Sequence, residues 1–549
     1  MREDQRFVDW TNNFFEEFLR ENPGTATFFG KHDYDHLLGD GSKEHTIRMY
    51  EKFMATWKEM KETFDRSKLS FHNQIDYDLL DHSGERQKFE FETLQTWKTG
   101  YNGGGPVGGI GGSLFSLLTG EFAPFEKRAE SMVGRMERIP EFLEQSKNTW
   151  MEPVDLWTRL AIQECESMPG LLQFLSNLIE KFPGISKDLK KRASKASKAA
   201  VETIKAYKTF LEQEVLPRAN RDWCVGEENF SSLLEIRKLP YTAEEILEMG
   251  WALYDKTKEE LRALADKIAP GKSFEEVRGI LKSDHPKTFE EVLELYTKAV
   301  VQARHFVAEK GLASIPSQEE EFVEVKETPG YLAPLIPKAA YIPPAYFDPV
   351  KKGIYIVTRP KDASTLQEHS RITIINTSVH EAYPGHHLQM SVASLNSSFI
   401  RMFVMGTETI EGWAHYCEQM LLEEGYLEGK EFEFIQKLDA LWRATRLIVD
   451  VELSRGRMSL DEAVEFIIEK AGKSKETAIA TVNHCTGVPG YHLSYLTGKH
   501  LVLHLREKMK RKLGNEFSLQ FFHDVILKNG SIPYYFLERA MEHEAEKLT

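Results

Sequence analysis

His380-Glu381-Ala382-Tyr383-Pro384-Gly385-His386-His387-Leu388-Gln389 carries a His-Glu pair followed by two more histidines, the raw material of a metal-hydrolase helix. The usual pattern, His-Glu-x-x-His, puts two imidazoles at i and i+4 on one face, about 6 Å apart along the axis. There they can share an ion at about 2.0–2.1 Å each. Here the i+4 position is Pro384, which cannot bind metal. On an unbroken helix His386 would lie about 9 Å along the axis and point about 120° away from His380. His387 would regain the face, but about 10.5 Å away. Pro384-Gly385 resolves the conflict. Proline interrupts the helical turn before it, and glycine accepts backbone conformations closed to other residues. A two-residue bulge here would carry His386 into the place of the missing ligand and leave Glu381 beside a metal-bound water.

A third ligand is expected downstream. Thr409 to Glu418 reads as a helix on which Glu411, His415 and Glu418 share a face. Glu411 follows His380 by 31 residues, or 29 once the two-residue insert is set aside. That is close to the spacing in zinc peptidases with a downstream glutamate ligand. The expected metal set is His380, His386 and Glu411, with His415 orienting Glu411 from outside. Two imidazoles and a carboxylate suit one zinc ion, and cobalt or manganese fit the same donors. The competing reading is a histidine-rich surface that binds metal without catalysis.

The rest of the chain sets bounds. Its 549 residues are enough for more than one core, and 41% hydrophobic with 28% charged residues describes a soluble globular protein. No apolar run approaches the roughly 18 residues of a membrane-spanning helix. Met1 to Arg6 is charged with no apolar stretch after it, so no secretory signal is expected. A net charge of −15 argues against a nucleic-acid partner. The lysine-rich stretches 187–198 and 506–512 fall in helix-like sequence and read as solvated faces. Cys165, Cys224, Cys417 and Cys485 show no paired spacing, which favours a reducing, cytoplasmic setting.

Most of the chain reads as helix. Residues 188–215 carry apolar side chains at helical spacing, and capping boxes are expected at Thr242/Glu245, Ser273/Glu276, Thr288/Glu291 and Ser459/Glu462. Residues 322–325 and 352–358 read as strands. Between them lie Pro329, Pro334, Pro337, Pro343, Pro344 and Pro349, so a small β element with loops is expected just before the His-Glu segment. The division drawn is a mainly helical lobe, 1–313, and a lobe with the β element and the suspected site, 314–549. Gly103, Gly105 and Gly108 form a nominal G-x-G-x-x-G. It follows helix-like sequence and contains Pro106, so it reads as a mobile surface loop, or a flap over a cleft, and not as a dinucleotide site.

The pattern H-E-x-x-P-G-H-x-x-Q at 380–389 resembles the signature of the "domain of unknown function 885" family. Glu411-Gly412-Trp413-Ala414 with Tyr416 is similar to its E-G-W-A-x-Y block. Pro489-Gly490 through Tyr495 is similar to its P-G-Q-A-x-x-Y block, and Phe522-His523-Asp524 with Gly530-Ser531-x-Pro533 resembles its F-H-D…G-S-x-P. The resemblance implies a relative of Taq-type zinc carboxypeptidases and neurolysin-like peptidases: mainly α, two-lobed, with a deep cleft. Tyr491 and His492 depart from the family's Gln-Ala.

These readings converge on a zinc-dependent hydrolase of short peptides. Glu381 would be the general base. Tyr495 is the first choice and His492 the second for a donor to the oxyanion. The β element would hold extended substrate, with Tyr355 at its rim and Arg359 near a substrate carboxylate. Two alternatives stay open: a non-peptidase amide hydrolase using the same metal, and a helical binding protein whose metal is structural.

Overall fold

The computed structural model describes residues 2–101, 103–328, 336, 338–360 and 363–549, the side chains of 363–365 excepted. The expected mainly α fold is found, with one three-stranded sheet among the described residues. Of the prolines expected in the β element, Pro329, Pro334 and Pro337 lie outside the described residues.

The chain divides into two compact units, Met1–Cys224 and Val225–Thr549. Residues 225–313, assigned above to the first lobe, therefore pack in the unit that carries the site. Their apolar face explains this. In the helix α1 (Ala243–Ile268), Ile246, Leu247, Leu261 and Leu264 share a core with Phe434, Leu441, Leu447 and Ile448, some 200 residues later in the chain.

The first unit is helical throughout its regular structure. Its core is built from Met132, Met136, Ile139, Leu172, Leu175, Ile179 and Ile204, all fully buried. The helix expected at 188–215 runs Lys187–Phe210 and continues through a wider π-type turn to Val215. Its buried Leu189, Ala193, Ala196, Ala200, Ile204, Tyr207 and Leu211 recur at three- and four-residue steps, as one helical face requires. Only the start of the glycine-rich segment, 103–105, is loop. Pro106–Thr119 is a helix with Pro106 in its first turn, burying Val107, Ile110, Leu114 and Leu117. Glu164 accepts the N–H groups of Gly105 and Gly108 at 3.2 and 3.0 Å. A carboxylate thus satisfies two donors that a helix start leaves open. The glycines let it approach the backbone, and the apolar residues between them make the segment a helix.

In the second unit, reciprocal capping boxes form at Thr242/Glu245, Ser273/Glu276 and Ser459/Glu462. Thr288 caps α2 (Phe289–Glu309) through Glu291 N–H, but the Glu291 carboxylate accepts instead from Lys287 N–H, so the box is one-sided. The sheet comprises β1 (Glu321–Glu327), β2 (Ala339–Ile342) and β3 (Lys351–Val357) in the order β1-β3-β2. β1 runs parallel to β3, with Glu321 opposite Lys351, and β2 antiparallel to it, with Tyr341 opposite Tyr355. Tyr355 on the central strand is fully buried, edge-on to Tyr296 at 5.3 Å. It belongs to the core and not to a rim, because β3 is covered on both sides. Arg359 is spoken for as well: it pairs with Glu327 at 2.8 Å and Glu290 at 3.1 Å on the surface.

After the sheet come the elements that build the site: α3 (Arg371–Glu381), α4 (His386–Ser394), α5 (Thr407–Glu423), α6 (Lys430–Ser454) and α7 (Ser494–Leu513). α5 and α7 meet backbone to backbone where Gly412 faces Gly498. A Cβ on either would collide with the other helix's main chain, so this crossing admits only glycine.

Candidate metal centre

The helix through His380 stops at Glu381, and a new helix begins at His386. Between them the Tyr383–Pro384 peptide is cis. The chain turns back on itself: Gly385 N–H donates to Val379 C=O at 3.1 Å, and Leu388 N–H donates to Ala382 C=O at 3.2 Å. Gly385 lies so close to the His380 carbonyl that a Cβ there would overlap it.

The bulge is held from outside. Trp413 Nε1 donates to Pro384 C=O at 2.8 Å, and Gln389 Nε2 to Thr409 C=O at 3.0 Å. The two recognisable blocks, 380–389 and 411–416, thus brace one another. The later blocks serve the same frame. Ser531 C=O accepts from Gly406 N–H at 2.7 Å, and Ile532 C=O from the Thr409 hydroxyl at 2.7 Å, fixing the start of α5. His523 pairs with the Tyr416 hydroxyl at 2.7 Å.

With the bulge in place, His380, His386 and Glu411 converge. The imidazole rings lie 4.8 Å apart and perpendicular, at 89°. Glu411 Oε2 is 4.0 Å from His380 Nε2 and 3.6 Å from His386 Nε2, and one donor atom from each residue lies within 4.8 Å of the others. Two donors each about 2.1 Å from a tetrahedral ion stand about 3.4 Å apart, so the trio has the spacing of a ligand set. Its chemistry fits too: two imidazoles and a carboxylate face one another, and the three side chains are shielded from solvent. Burial alone would push Glu411 up and His386 down. Their contact outweighs it, raising His386 and, with His380 and Tyr491, holding Glu411 down at about 2.

A second trio, His380, His415 and Glu418, lies next to the first. Here Glu418 Oε1 is already hydrogen-bonded to His380 Nδ1 at 2.7 Å and lies 3.5 Å from His415 Nδ1. The shorter distance leaves no room for an ion between donors. Glu418 is the orienting carboxylate of His380, leaving Nε2 to face Glu411. Because Glu411 and Glu418 are two turns apart on α5, about 10.5 Å, one imidazole fits between them. His415 does not orient Glu411 as expected. Burial and the nearby Arg443 and His380 push it well below its ordinary value, so it is a neutral imidazole beside Glu418. The partner of Glu411 is Tyr491, whose hydroxyl donates to Oε1 at 2.9 Å.

The remaining expected residues are placed as follows. Glu381 is half-buried; its charge acts on His386 and also raises the Tyr341 and Tyr355 hydroxyls, behind burial as the larger cause. His387 faces the sheet, with Nε2 2.7 Å from Glu321 and Nδ1 3.0 Å from the Tyr341 hydroxyl. Tyr495 stands 5.8 Å from His415 and 5.9 Å from Tyr491, ring to ring, under the Arg446 guanidinium at 4.4 Å. His492 packs on Tyr491 and Tyr495 and hydrogen-bonds to His484 at 3.1 Å. Burial, with Arg446 and His484, pushes it down to about 2, so it is neutral.

The family described as "Bacterial protein of unknown function (DUF885)" matches residues 23–541. The chain belongs to this family. Two solved structures share the fold of this DUF885 chain over nearly its whole length. One is described as "a putative lipoprotein of unknown function from Shewanella oneidensis": 22% identity, TM-score 0.79, 98% of this chain and 99% of that one covered. The other is "the putative lipoprotein from Colwellia psychrerythraea": 20% identity, TM-score 0.86, 99% of each covered. No curated protein matches the chain. Those descriptions overturn the cytoplasmic expectation. It rested on unpaired cysteines, and a chain with a large apolar core needs no disulfide in any compartment. Among the described residues no helix is long and apolar enough to cross a membrane.

Proposed function

We propose that this DUF885 chain is a metal-dependent hydrolase of amide bonds in short peptides, related in mechanism to Taq-type carboxypeptidases and neurolysin-like peptidases. The observation that supports it is the convergence of His380, His386 and Glu411 within 4.8 Å, produced by the Pro384-Gly385 bulge. These three residues would hold one zinc ion. When bound, zinc polarises a carbonyl and lowers the pKa of a water towards about 7.

The protein's own groups account for the rest. Glu381 follows His380 directly in the sequence, and in this reading it takes a proton from the attacking water and returns it to the leaving amine. Glu418 fixes the ring of His380 and Tyr491 fixes the carboxylate of Glu411. Tyr495, whose ring packs on His415 and Tyr491, would be the donor to the oxyanion; burial, and the Glu411 charge, raise its hydroxyl, so it stays a donor at neutral pH. The lipoprotein description of the two solved relatives fits a chain that meets peptides outside the cytoplasm.

Turnover of a panel of dipeptides, tripeptides and acyl-amino acids by the wild type and by Glu381→Gln tests this reading. The variant is expected to keep its metal and lose at least about a hundredfold in rate. Equal rates would remove Glu381 as the base. A panel in which only acyl-amino acids are cleaved would replace the peptidase by the amide hydrolase.

A further inference from the structure

The second unit contains a cavity of about 710 Å³ that the metal site does not use. Its walls come from α1, the helix Phe274–Ser283, α3, α6 and the segment 469–473. Eight lysines and arginines line it against four carboxylates, in a chain whose net charge is −15. Three of the four carboxylates are taken: Glu368 pairs with Lys282 at 2.6 Å, Glu469 with Lys470 at 2.7 Å and Asp439 with Arg443 at 3.5 Å. Among the described residues Arg262, Arg278, Lys338 and Lys473 have no carboxylate partner. Ile435, Leu438, Leu441 and Trp442 form an apolar wall beside them. A half-enclosed volume with uncompensated cations on one side and aliphatic surface on the other suits an anionic group on an organic chain.

The cavity is joined to the metal site by two routes. Asp439 in its wall is 3.5 Å from Asn376 Nδ2, which is 3.4 Å from Glu418, the carboxylate that orients His380. The second route is a ladder of rings and cations. Lys473 Nζ stands 4.9 Å over the Trp442 ring, Arg446 stands 5.2 Å over the same ring, and Arg446 also stands 4.4 Å over Tyr495. Thr373 lines the cavity and His380 is two turns further along the same helix, about 10.5 Å. An extended peptide covers that distance in about three residues.

We propose that this cavity binds a carboxylate of the substrate, so that the chain selects peptides bearing an anionic group about three residues from the scissile bond. This rests on the metallopeptidase reading above. Burial supports it: with Arg278, Arg443 and Arg446 close by, it holds Lys473 down at about 8, against the pull of Asp439. A bound carboxylate would relieve that cost. Either an acidic side chain or the peptide's own C-terminus can supply the group, and the cavity chemistry is the same for both.

The test uses four N-acetylated hexapeptides, Ala-Ser-Phe-Ala-Ser-X, with X as Glu or Gln and the C-terminus free or amidated. Binding is measured by calorimetry on the full chain carrying Glu381→Gln, so that peptide is not consumed, and cleavage is followed in parallel with the wild type. Peptides with a carboxylate are expected to bind at least about tenfold more tightly than the Gln-amide. The preference should fall below about threefold in Lys473→Gln and in Arg278→Gln, and survive in Lys473→Arg. Tight binding of the Glu-amide assigns the cavity to acidic side chains; tight binding of the Gln acid assigns it to the C-terminus. Equal affinity for all four peptides overturns the proposal, as does a preference that both Gln variants leave untouched. Carboxylate-dependent binding with no cleavage by the wild type supports the anion site and overturns the peptidase reading. Cleavage of all four peptides with no binding preference does the reverse.

Discussion

Glu418 offers the sharpest view of how the centre is held. It is buried, makes a 2.7 Å contact with His380 Nδ1, and touches none of the atoms placed to bind the ion. Its role is to fix the ring, keep the proton on Nδ1 and make Nε2 more basic. Loss of such a partner typically costs tenfold to a hundredfold in metal affinity, about 1.4–2.8 kcal/mol. The two ends of that range correspond to two substitutions. Glu418→Gln keeps the shape and an oxygen that accepts from Nδ1, and loses only the charge, so about tenfold is expected. Glu418→Ala removes the acceptor and frees the ring to rotate, so about a hundredfold is expected. Competition against a chromophoric chelator, with His380→Ala as the floor, reads both. Affinities within twofold of the wild type for both variants would refute the orienting role; a loss as complete as His380→Ala in Glu418→Gln would instead make Glu418 a ligand.

Other consequences are equally direct. Gly385→Ala drives a Cβ into the His380 carbonyl, so the bulge must open; a loss of about 3 kcal/mol in urea unfolding, with loss of metal binding, is expected, and normal stability would contradict the bulge geometry. Tyr491→Phe removes the donor to Glu411 Oε1 and should weaken metal binding by about 1 kcal/mol, roughly fivefold, without abolishing it; an unchanged affinity would show the hydroxyl to be idle. Asp450 is raised from 3.8 to about 6, by burial above all, although Gly490 and Leu493 N–H groups oppose the shift. A carboxyl protonated more readily in the folded state contributes most below its unfolded pKa, and that contribution is lost as pH rises from about 4 to 6. The stability difference between wild type and Asp450→Asn should therefore change by about 3 kcal/mol over that interval, and a pH-independent difference would contradict it.

The helices were legible because their signals are local. Thr242, Ser273 and Ser459 cap as their sequences demand, and the apolar rhythm of 188–215 is visible without any tertiary knowledge. The bulge at Pro384-Gly385 was legible for a related reason: the spacing of His380 and His386 makes sense only if the helix breaks between them. What stayed hidden depends on partners far along the chain. Tyr491 looked like a departure from a pattern, yet its hydroxyl meets Glu411 80 residues away. Glu418 was visible on the right face of its helix, but its claim on His380 over His415's depends on how α3 crosses α5. Tyr355 and Arg359 lie near the site in sequence, and proximity in sequence does not show that one is buried and the other already paired. The glycines at 103–112 look like a loop by composition, yet from Pro106 on they are helix, and the half-buried Glu164 that caps its start lies some 55 residues further along.

Metal content of the purified chain, read alongside two neighbouring histidine variants, tests the central claim most directly. His386 and His387 are adjacent, but one faces Glu411 and the other faces Glu321. The account predicts about one equivalent of divalent metal, zinc by preference, in the wild type and in His387→Gln, and none in His386→Ala. A wild type without metal after zinc reconstitution, or a His386→Ala variant that keeps its equivalent while His387→Gln loses it, would contradict it.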